Sequence, residues 1–221
     1  MRKEKKLMSI ESRTKRRLVS AFVVAGLVLG AAVLVVGIAP GVKACITSSG
    51  CDFLTGGGWI VYWGNKATFG VGGGCKFGSP TWGHLEYHDH GTGLNVHGTG
   101  VTAYMDAGGD GTDPKTGQPI GIRDICGTAR TNLYGDVFYH VQVRDFGEPG
   151  VNDTFDIRLK HCDSSGNNCG DYLYDTTNQC FPHYLGSYTP CAPGSGGGGN
   201  IQLHKPNAST TGSFGGSCPA F

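Results

Sequence analysis

Short runs of alternating apolar and polar residues follow one another after residue 45, and none has the 3.6-residue apolar spacing of a long helix. The run Asp136–Arg144, "DVFYHVQVR", is the clearest. Its two faces differ: Val137, Tyr139, Val141 and Val143 share one face, and Phe138, His140, Gln142 and Arg144 share the other. A strand with an apolar inner side and a mixed outer side is therefore predicted.

Gly, Asn, Asp or Pro bounds each of these runs, as is typical of strands joined by turns. The pattern predicts eight strands, at Trp59–Tyr62, Lys66–Val71, His84–His90, Leu94–Tyr104, Ile120–Thr128, Asp136–Arg144, Thr154–Lys160 and Asn200–Lys205. We expect an all-β fold, an antiparallel β-sandwich of about seven to eight short strands with a disulfide-rich insertion.

The first 44 residues differ in composition from the rest of the chain. A basic segment precedes the apolar run Leu18–Ala39, and small residues stand ahead of Cys45, which is typical of an export signal cleaved after Ala44. An uncleaved membrane anchor is the open alternative, because the run reaches the ~20 residues that span a bilayer. The expected organisation is a leader (1–44), a short segment (45–53), one domain (54–205) and a flexible tail (206–221).

Charge and cysteine content point to an exported protein, either secreted or held at a bacterial cell surface. The leader holds nine of the 18 Lys and Arg but two of the 17 Asp and Glu, so residues 45–221 have a net charge of −6. An acidic domain of this kind argues against nucleic acid as a partner, and any membrane contact is expected only through an uncleaved leader. All nine Cys follow the leader, in the exported part of the chain, where disulfides persist. Because nine is odd, at least one thiol is expected to be free, lipidated or disulfide-linked to a partner chain.

The stretch "GHLEYHDHG", Gly83–Gly91, places His84, Glu86, His88 and His90 on one face of a predicted strand. One interpretation is the solvated face of a half-buried strand whose inner side carries Leu85 and Tyr87. The other is a divalent metal site, with the predicted ligands His88, His90, Glu86 and His97. Only neighbouring pairs can share an ion, because side chains at i and i+2 stand ~6.5–7 Å apart. The solvated strand is the favoured interpretation.

The loop "DFGEPGVND", Asp145–Asp153, raises a similar question. Calcium prefers oxygen ligands, and the predicted set is Asp145, Glu148, Asn152 and Asp153. The favoured alternative is that Asp145, Asn152 and Asp153 cap the turn through backbone hydrogen bonds. A second acidic stretch, Asp106–Gly117, lacks the spacing of an EF-hand and is predicted to be a solvated loop.

Six blocks occur in one order: "LTGGGWI" (54–60), "KATFG" (66–70), "GHLEYHDHGTGLNVHG" (83–98), "GTAR" (127–130), "VRDFGEPGVNDTFDIRL" (143–159) and "GGGGNIQLHK" (196–205). Together they resemble the post-COAP β-domain of bacterial secreted proteins. The resemblance implies a compact extracellular β-domain without enzymatic activity, and it brings no catalytic residues. This chain departs from the pattern in standing alone behind its leader and in an insertion, His161–Ser195.

The insertion is polar and Gly-rich, so cross-links are expected to replace a core of its own. Cys162 and Cys169 flank a turn, and Cys180 and Cys191 could close a second loop. The other candidates for disulfide bonds are Cys45, Cys51, Cys75 and Cys126. Zinc is the open alternative in the insertion, with potential ligands His161, Cys162, Cys169, Cys180, His183 and Cys191.

The chain contains no G-x-S-x-G, no H-E-x-x-H and no glycine-rich phosphate loop before a helix. We therefore predict a non-enzymatic extracellular domain with a structural, adhesive or accessory role and no required cofactor. The alternative is a small metal- or glycan-binding module that uses the His84–His97 region or the aromatic residues Trp59, Trp63 and Trp82. The expected partner is a surface protein or a glycan.

Overall fold

The structure is a computed structural model that describes residues 50–186 and 196–220. These residues form ten strands: β1 Phe53–Tyr62, β2 Asn65–Lys76, β3 Ser79–Asp89, β4 Leu94–Thr112, β5 Pro119–Thr131, β6 Gly135–Asp145, β7 Thr154–Cys162, β8 Cys169–Asp175, β9 Gly198–His204 and β10 Gly215–Gly216. A single 3-10 turn, Thr176–Asn178, follows β8. The described fold is all-β, as predicted.

All ten strands belong to one antiparallel sheet, in the order β8-β7-β6-β5-β4-β3-β2-β1-β9, with β10 added beside β4. Consecutive hairpins build the sheet from β1 to β8, and β9 then returns to pair with β1. The sheet curls into a half-barrel. The expected sandwich of seven to eight strands is therefore not confirmed, because the described strands continue into a single curved sheet, whereas a sandwich divides them between two packed layers.

Contacts between distant strands close the curled sheet over its own inner face. Phe69 of β2 stacks on Phe155 of β7 with 3.9 Å between ring centroids. Tyr62 of β1 lies edge-on to Tyr174 of β8, with 5.2 Å between ring centroids. The core is thus the concave side of the sheet, where the inward side chains of nearly every strand meet. Burial of these aromatic rings removes large apolar surfaces from water.

Strand structure also occupies part of a predicted loop and part of the insertion. Strand β4 continues through Asp106–Thr112, which was predicted to be a solvated loop, and its register against β5 shifts at several points. Gly108 and Gly109 have φ values of 94° and 70°, and such left-handed backbone is typical of bulges. Strand β8 arises inside the insertion and pairs with β7.

The insertion contributes to the core of the domain. Tyr174 and Leu185 are buried in the main hydrophobic cluster, and Leu185 N donates a hydrogen bond to the carbonyl of Asp153. Residues 161–186 therefore combine the expected cross-link, Cys162–Cys169, with packing against the core of the domain, which the sequence analysis did not predict. The remaining nine residues of the insertion lie outside the described part of the chain.

Three disulfides join described residues: Cys51–Cys75, Cys126–Cys218 and Cys162–Cys169. The last closes the turn that the sequence predicts. Cys180 is also disulfide-bonded. Cys218 was not among the predicted disulfide cysteines. Its bond to Cys126 and the β10–β4 pairing attach residues of the predicted flexible tail to the sheet.

Several predictions fall outside the described residues, namely the leader (1–44), Cys45 and Cys191. Within residues 50–186 and 196–220, no helix is long and apolar enough to cross a membrane. Export and the cleavage site stay predictions. The disulfides are consistent with an extracellular protein.

Candidate functional site

The histidine-rich strand β3 alternates as the solvated-strand interpretation predicts. Leu85 and Tyr87 are buried on the inner face, whereas His84 and Glu86 are exposed on the outer one, and His90, the first residue after β3, is exposed as well. Asp89 shares the inner face, where its carboxylate accepts hydrogen bonds from the Tyr174 hydroxyl and from the backbone of the turn that follows β3. The fold therefore places the imidazoles of this strand on the convex, solvent-facing side of the sheet.

Glu86 is the centre of a small polar cluster on that side. Its partner in the β3–β4 register is His97, whose Nδ1 donates a hydrogen bond to Glu86 Oε1. His84 Nε2 lies 3.2 Å from the same oxygen. The two imidazoles meet edge to face, with 5.8 Å between their ring centroids. One carboxylate oxygen thus holds two histidines from neighbouring strands.

His88 and His90 form a separate pair. Their ring centroids lie 4.1 Å apart, and His90 Nε2 is 3.5 Å from Thr68 Oγ1 on β2. The four predicted metal ligands are therefore divided, with Glu86 and His97 in one cluster and His88 and His90 in the other. Among the described residues, no group of three or more His, Cys, Asp or Glu side chains is arranged to hold a metal ion.

A pocket of about 560 Å³ opens on this face, across strands β2 to β5. The side chains that point into it are all polar: Thr68, Glu86, His88, Asn95, His97, Arg130 and Asn132. Gly70 lies at its floor, where a Cβ would meet nothing within 4 Å. We refer to this site as the outer-face pocket. Its walls are strands, so the polar groups are held in fixed relative positions.

Hydrogen bonds fix the rim of the outer-face pocket. Asn132 Oδ1 accepts a bond of 2.7 Å from Asn95 N, and Asn132 Nδ2 donates to the carbonyl of Gly93. Arg130 Nε lies 3.2 Å from Asp136 Oδ1, and both of these side chains are largely exposed. The Asn95 side chain stays exposed beside His88, its partner in register. The rim thus presents an amide, an imidazole and a guanidinium to solvent.

The three tryptophans lie elsewhere on the surface. Trp59 of β1 has Lys66 Nζ 5.0 Å from its ring centroid, and Trp82 of β3 has Lys76 Nζ at 3.9 Å. Trp63, at the tip of the β1–β2 hairpin, is 66% exposed. None of the three lines the outer-face pocket. The predicted aromatic binding surface is therefore separate from the histidine-rich one.

The predicted calcium loop, Asp145–Asp153, has another role in the structure. Asp153 accepts hydrogen bonds from Phe146 N (2.9 Å) and from Ile201 N of β9 (2.8 Å). Asp145 accepts from Gly147 N and from Leu203 N, both at 2.7 Å. The two carboxylates bind backbone N–H groups of β9 that β1 does not use, and thereby attach this terminal strand to the β6–β7 loop.

The environment of the two carboxylates is unlike that of a calcium site. Burial raises the pKa of Asp153 to about 7 and also raises the pKa of Asp145, although the backbone N–H donors oppose the shift in both cases. Glu148 Oε1 accepts a hydrogen bond from Asn200 Nδ2, while Asn152 is exposed. The oxygens of the predicted ligands are thus largely engaged by N–H groups, as the turn-capping interpretation expects.

A buried ion-pair cluster was missed by the sequence analysis. Arg123, 3% exposed, binds Asp52 through two nitrogens and also donates to Asp106 and Asp110 of β4. Tyr104 donates its hydroxyl proton to the same Asp52. The one available signal was a lone arginine at an inward position of the run "PIGIRDICG". Three carboxylates satisfy this guanidinium, so the cluster is better suited to holding β4, β5 and the N-terminal segment together than to binding a ligand.

The described residues of the insertion argue against the zinc alternative. Cys162, Cys169 and Cys180 are disulfide-bonded and cannot supply thiolates. His183 is buried, and its Nδ1 donates a 2.7 Å hydrogen bond to Asp156, a carboxyl whose pKa is raised by burial. The His161 ring donates to the carbonyl of Tyr134. The candidate ligands thus have structural partners.

Comparison with known proteins assigns neither a family nor a function to the chain. No family model matches the chain, and neither the curated proteins nor the solved structures include a significant match. The resemblance to the post-COAP β-domain stays a prediction. Function must therefore be argued from the geometry and chemistry of the outer-face pocket.

Proposed function

We propose that the chain is an exported, non-enzymatic adhesive module that binds a hydroxyl-rich glycan in the outer-face pocket. The observation that carries the proposal is the pocket itself, about 560 Å³ of open space lined by polar side chains on four adjacent strands. Ligand sites are concave and few per protein, and convergent polar groups fix the orientation of the ligand in them.

The donor and acceptor content of the pocket favours a glycan. A sugar hydroxyl both donates and accepts hydrogen bonds, and so do the hydroxyl, amide and neutral imidazole groups of Thr68, Asn95 and His88. The amide of Asn132 is held by the neighbouring backbone, which limits the rotamer freedom lost on binding. A shallow, open site of this kind fits a ligand that lies on the sheet surface.

The carboxylates of the site support a binding role. Glycoside hydrolysis generally uses two carboxyl groups on opposite sides of the scissile bond. Among the described residues that line the outer-face pocket, Glu86 is the one carboxylate, and His84 and His97 engage it. The arrangement thus provides hydrogen-bonding groups and lacks the acid and base pair of a hydrolase.

The proposal is tested by glycan binding to the full chain, expressed with its own leader and purified, on a printed array of neutral and acidic glycans. A Gly70→Val variant should lose binding, because the added side chain would fill the floor of the pocket. The fold should tolerate it, since a Cβ at Gly70 has open space and valine favours strands. The thermal midpoint should therefore stay at or above that of the wild type.

Gly72→Val is the matched control. Gly72 lies two residues along the same face of β2, outside the residues that line the pocket, and its Cβ would make an ordinary 3.6 Å contact with the carbonyl of Leu54. Glycan binding should survive this substitution. Failure of the wild-type chain to bind any glycan on the array, or undiminished binding by Gly70→Val, would overturn the proposal.

A further inference from the structure

A second pocket lies beside the outer-face pocket. It has a volume of about 340 Å³ and crosses strands β4 to β6 and the start of the β7–β8 turn, with a lining that includes Thr99, Thr128, Arg130, Asp136, Phe138 and Asp163. We refer to it as the adjoining pocket. Arg130 lines both pockets, so they meet at this side chain. Together they extend the polar depression from β2 to the end of β7.

The boundary between the two pockets is an ion pair that is open to solvent. Arg130 and Asp136 contact each other there, and their side chains are 74% and 80% exposed. Ion pairs at such positions contribute ~0–1 kcal/mol, so this pair can rearrange at little cost when a ligand lies over it. Because the two charges compensate each other, the boundary offers hydrogen bonds without selecting a charged ligand.

The groups of the adjoining pocket suit a sugar. The hydroxyls of Thr99 and Thr128 lie 2.9 Å apart, and each can donate and accept hydrogen bonds. The half-buried ring of Phe138 lines the same pocket, and an aromatic ring offers an apolar surface to the C–H face of a pyranose. Asp163 is committed to the β7–β8 turn, where its carboxylate accepts hydrogen bonds from the side chains and backbone of that turn.

The separation of the two pockets sets the length of the ligand. Three strand spacings, or about 14 Å along the sheet, separate β3, which carries Glu86, from β6, which carries Phe138. This distance exceeds a single sugar ring and is within reach of a short oligosaccharide. A straight chain of equatorially linked pyranoses, as in cellulose or chitin, can follow such a depression, whereas a coiled chain such as amylose turns away from it.

The charge of the domain favours a neutral chain. Residues 45–221 have nine basic and fifteen acidic side chains, which repel an anionic polymer. Within the two pockets, Glu86 contacts two histidines and Arg130 pairs with Asp136, so these charges already have partners. The contacts that a ligand gains are therefore mainly those of hydroxyl and amide groups.

We propose that the outer-face pocket and the adjoining pocket are two subsites for one neutral, straight β-linked oligosaccharide, which crosses the ion pair between them. The inference rests on the proposed glycan-binding function and specifies the class and length of its ligand. One part of the chain bonds to Thr68 and Asn95 in the outer-face pocket. The next part bonds to Thr99 and Thr128 in the adjoining pocket and packs on Phe138.

The test compares a disaccharide with a hexasaccharide of the same sugar, in two series: cellobiose with cellohexaose, and chitobiose with chitohexaose. Binding of the full chain to each is measured by isothermal titration calorimetry. In at least one series the hexasaccharide should bind about tenfold more tightly or better, the scale of one or two additional hydrogen bonds. A ligand confined to the outer-face pocket gains no such contacts from the added length.

The double variant Thr99→Val/Thr128→Val removes both hydroxyls of the adjoining pocket together. Each hydroxyl is the partner of the other, so neither is left unsatisfied, and valine favours strands. The fold should therefore tolerate the change, and the hexasaccharide should bind only about as tightly as the disaccharide. Asp136→Ala, at an 80% exposed position of the same pocket, should also reduce the gain from chain length.

Ser79→Ala/Thr81→Val is the matched control. These two hydroxyls form the same kind of hydrogen-bonded pair on β3, outside the residues that line either pocket. The control should retain the full gain from chain length. The thermal midpoints of all three variants should stay near that of the wild type, which separates an effect on binding from a loss of structure.

The outcomes separate the two proposals. If the array shows glycan binding that Gly70→Val abolishes, but neither series gains affinity with chain length, the glycan-binding function stands and the two-subsite ligand is overturned. The same conclusion follows if Thr99→Val/Thr128→Val retains the full gain. If the wild-type chain binds no glycan at all, both proposals fail.

Discussion

Two regions of the domain, strand β3 and the loop Asp145–Asp153, carry carboxylates that the sequence offers as metal ligands. The carboxylates have different partners in the two regions. Glu86, whose side chain is 51% exposed, contacts imidazoles on the outer face. Asp145 and Asp153 are buried and accept hydrogen bonds from backbone N–H groups of β9. The comparison shows that the partners of a carboxylate indicate its role. Buried carboxylates that accept hydrogen bonds from backbone N–H groups stabilise the fold, whereas an exposed carboxylate that contacts other side chains is one that a ligand can reach.

The largest effect should follow from removing the more buried carboxylate. Asp153→Ala leaves the N–H groups of Phe146 and Ile201 without their acceptor. An unsatisfied buried donor costs roughly 1–3 kcal/mol, so we expect a loss of about 3 kcal/mol in the free energy of unfolding. Urea denaturation followed by tryptophan fluorescence measures it.

Asn152→Ala is the control for that substitution, because Asn152 lies in the same loop and is exposed. It should change the free energy of unfolding by less than about 0.5 kcal/mol. Equal stability of Asp153→Ala and wild type would show that the hydrogen bond from Ile201 N of β9 to Asp153 does not stabilise the fold.

The pH dependence of stability should give the next largest effect. The unfolded chain releases the Asp153 proton near pH 4, whereas the folded chain retains it until about pH 7. The stabilisation from this group is therefore complete below about pH 4 and is lost as the pH rises through about 7. Relative to Asp153→Asn, the wild type should lose about 2–3 kcal/mol between about pH 5 and 8, because about two pH units of this interval lie between the unfolded and the folded pKa.

Urea midpoints of both proteins at about pH 5, 6.5 and 8 provide the measurement. Because the remaining titratable groups are common to both proteins, the difference between the two curves isolates Asp153. Parallel curves would mean that the two N–H donors keep the carboxylate ionised in the folded state, and that burial does not dominate its pKa.

The sequence predicted the local features of both regions. The alternation of His84–His90 and the capping role of Asp145 and Asp153 depend on neighbouring residues, so period-2 patterning and turn chemistry were sufficient. Prediction of the contact between Glu86 and His97 also requires the β3–β4 register. The lengths of the two strands and of the intervening turn favour that register.

Closure of the sheet could not be predicted in the same way. It depends on Phe69 meeting Phe155, on β9 meeting the Asp145–Asp153 loop, and on the Cys126–Cys218 bond, which spans 92 residues. Each joins positions with no local signal, since many other apolar pairs and cysteine pairings fit the same sequence. A curved single sheet and a sandwich consequently share one strand pattern.

The exposed carboxylate should contribute much less to stability. Glu86→Gln removes the charge that His84 and His97 share, but ion pairs between exposed side chains contribute ~0–1 kcal/mol. We expect the free energy of unfolding to change by less than about 0.5 kcal/mol, measured in the same urea assay. A loss comparable with that of Asp153→Ala would remove the distinction between the two regions.

The smallest effect is expected from added zinc. The His88 and His90 rings are tilted relative to each other with 4.1 Å between their centroids, and the carboxylate of the predicted set, Glu86, is engaged by two other imidazoles. Zinc sites in proteins use three or four protein ligands, and an exposed pair does not supply them. Calorimetric titration of the full chain with zinc should therefore show binding weaker than about 10 μM, which His88→Ala and His90→Ala leave almost unchanged. A tight, stoichiometric site that both substitutions abolish would instead make the outer face a metal centre. Glu86 and His97 would then have to give up their present hydrogen bond in order to bind the metal ion. The comparison would show that the exposed carboxylate is a metal ligand and the buried carboxylates are structural.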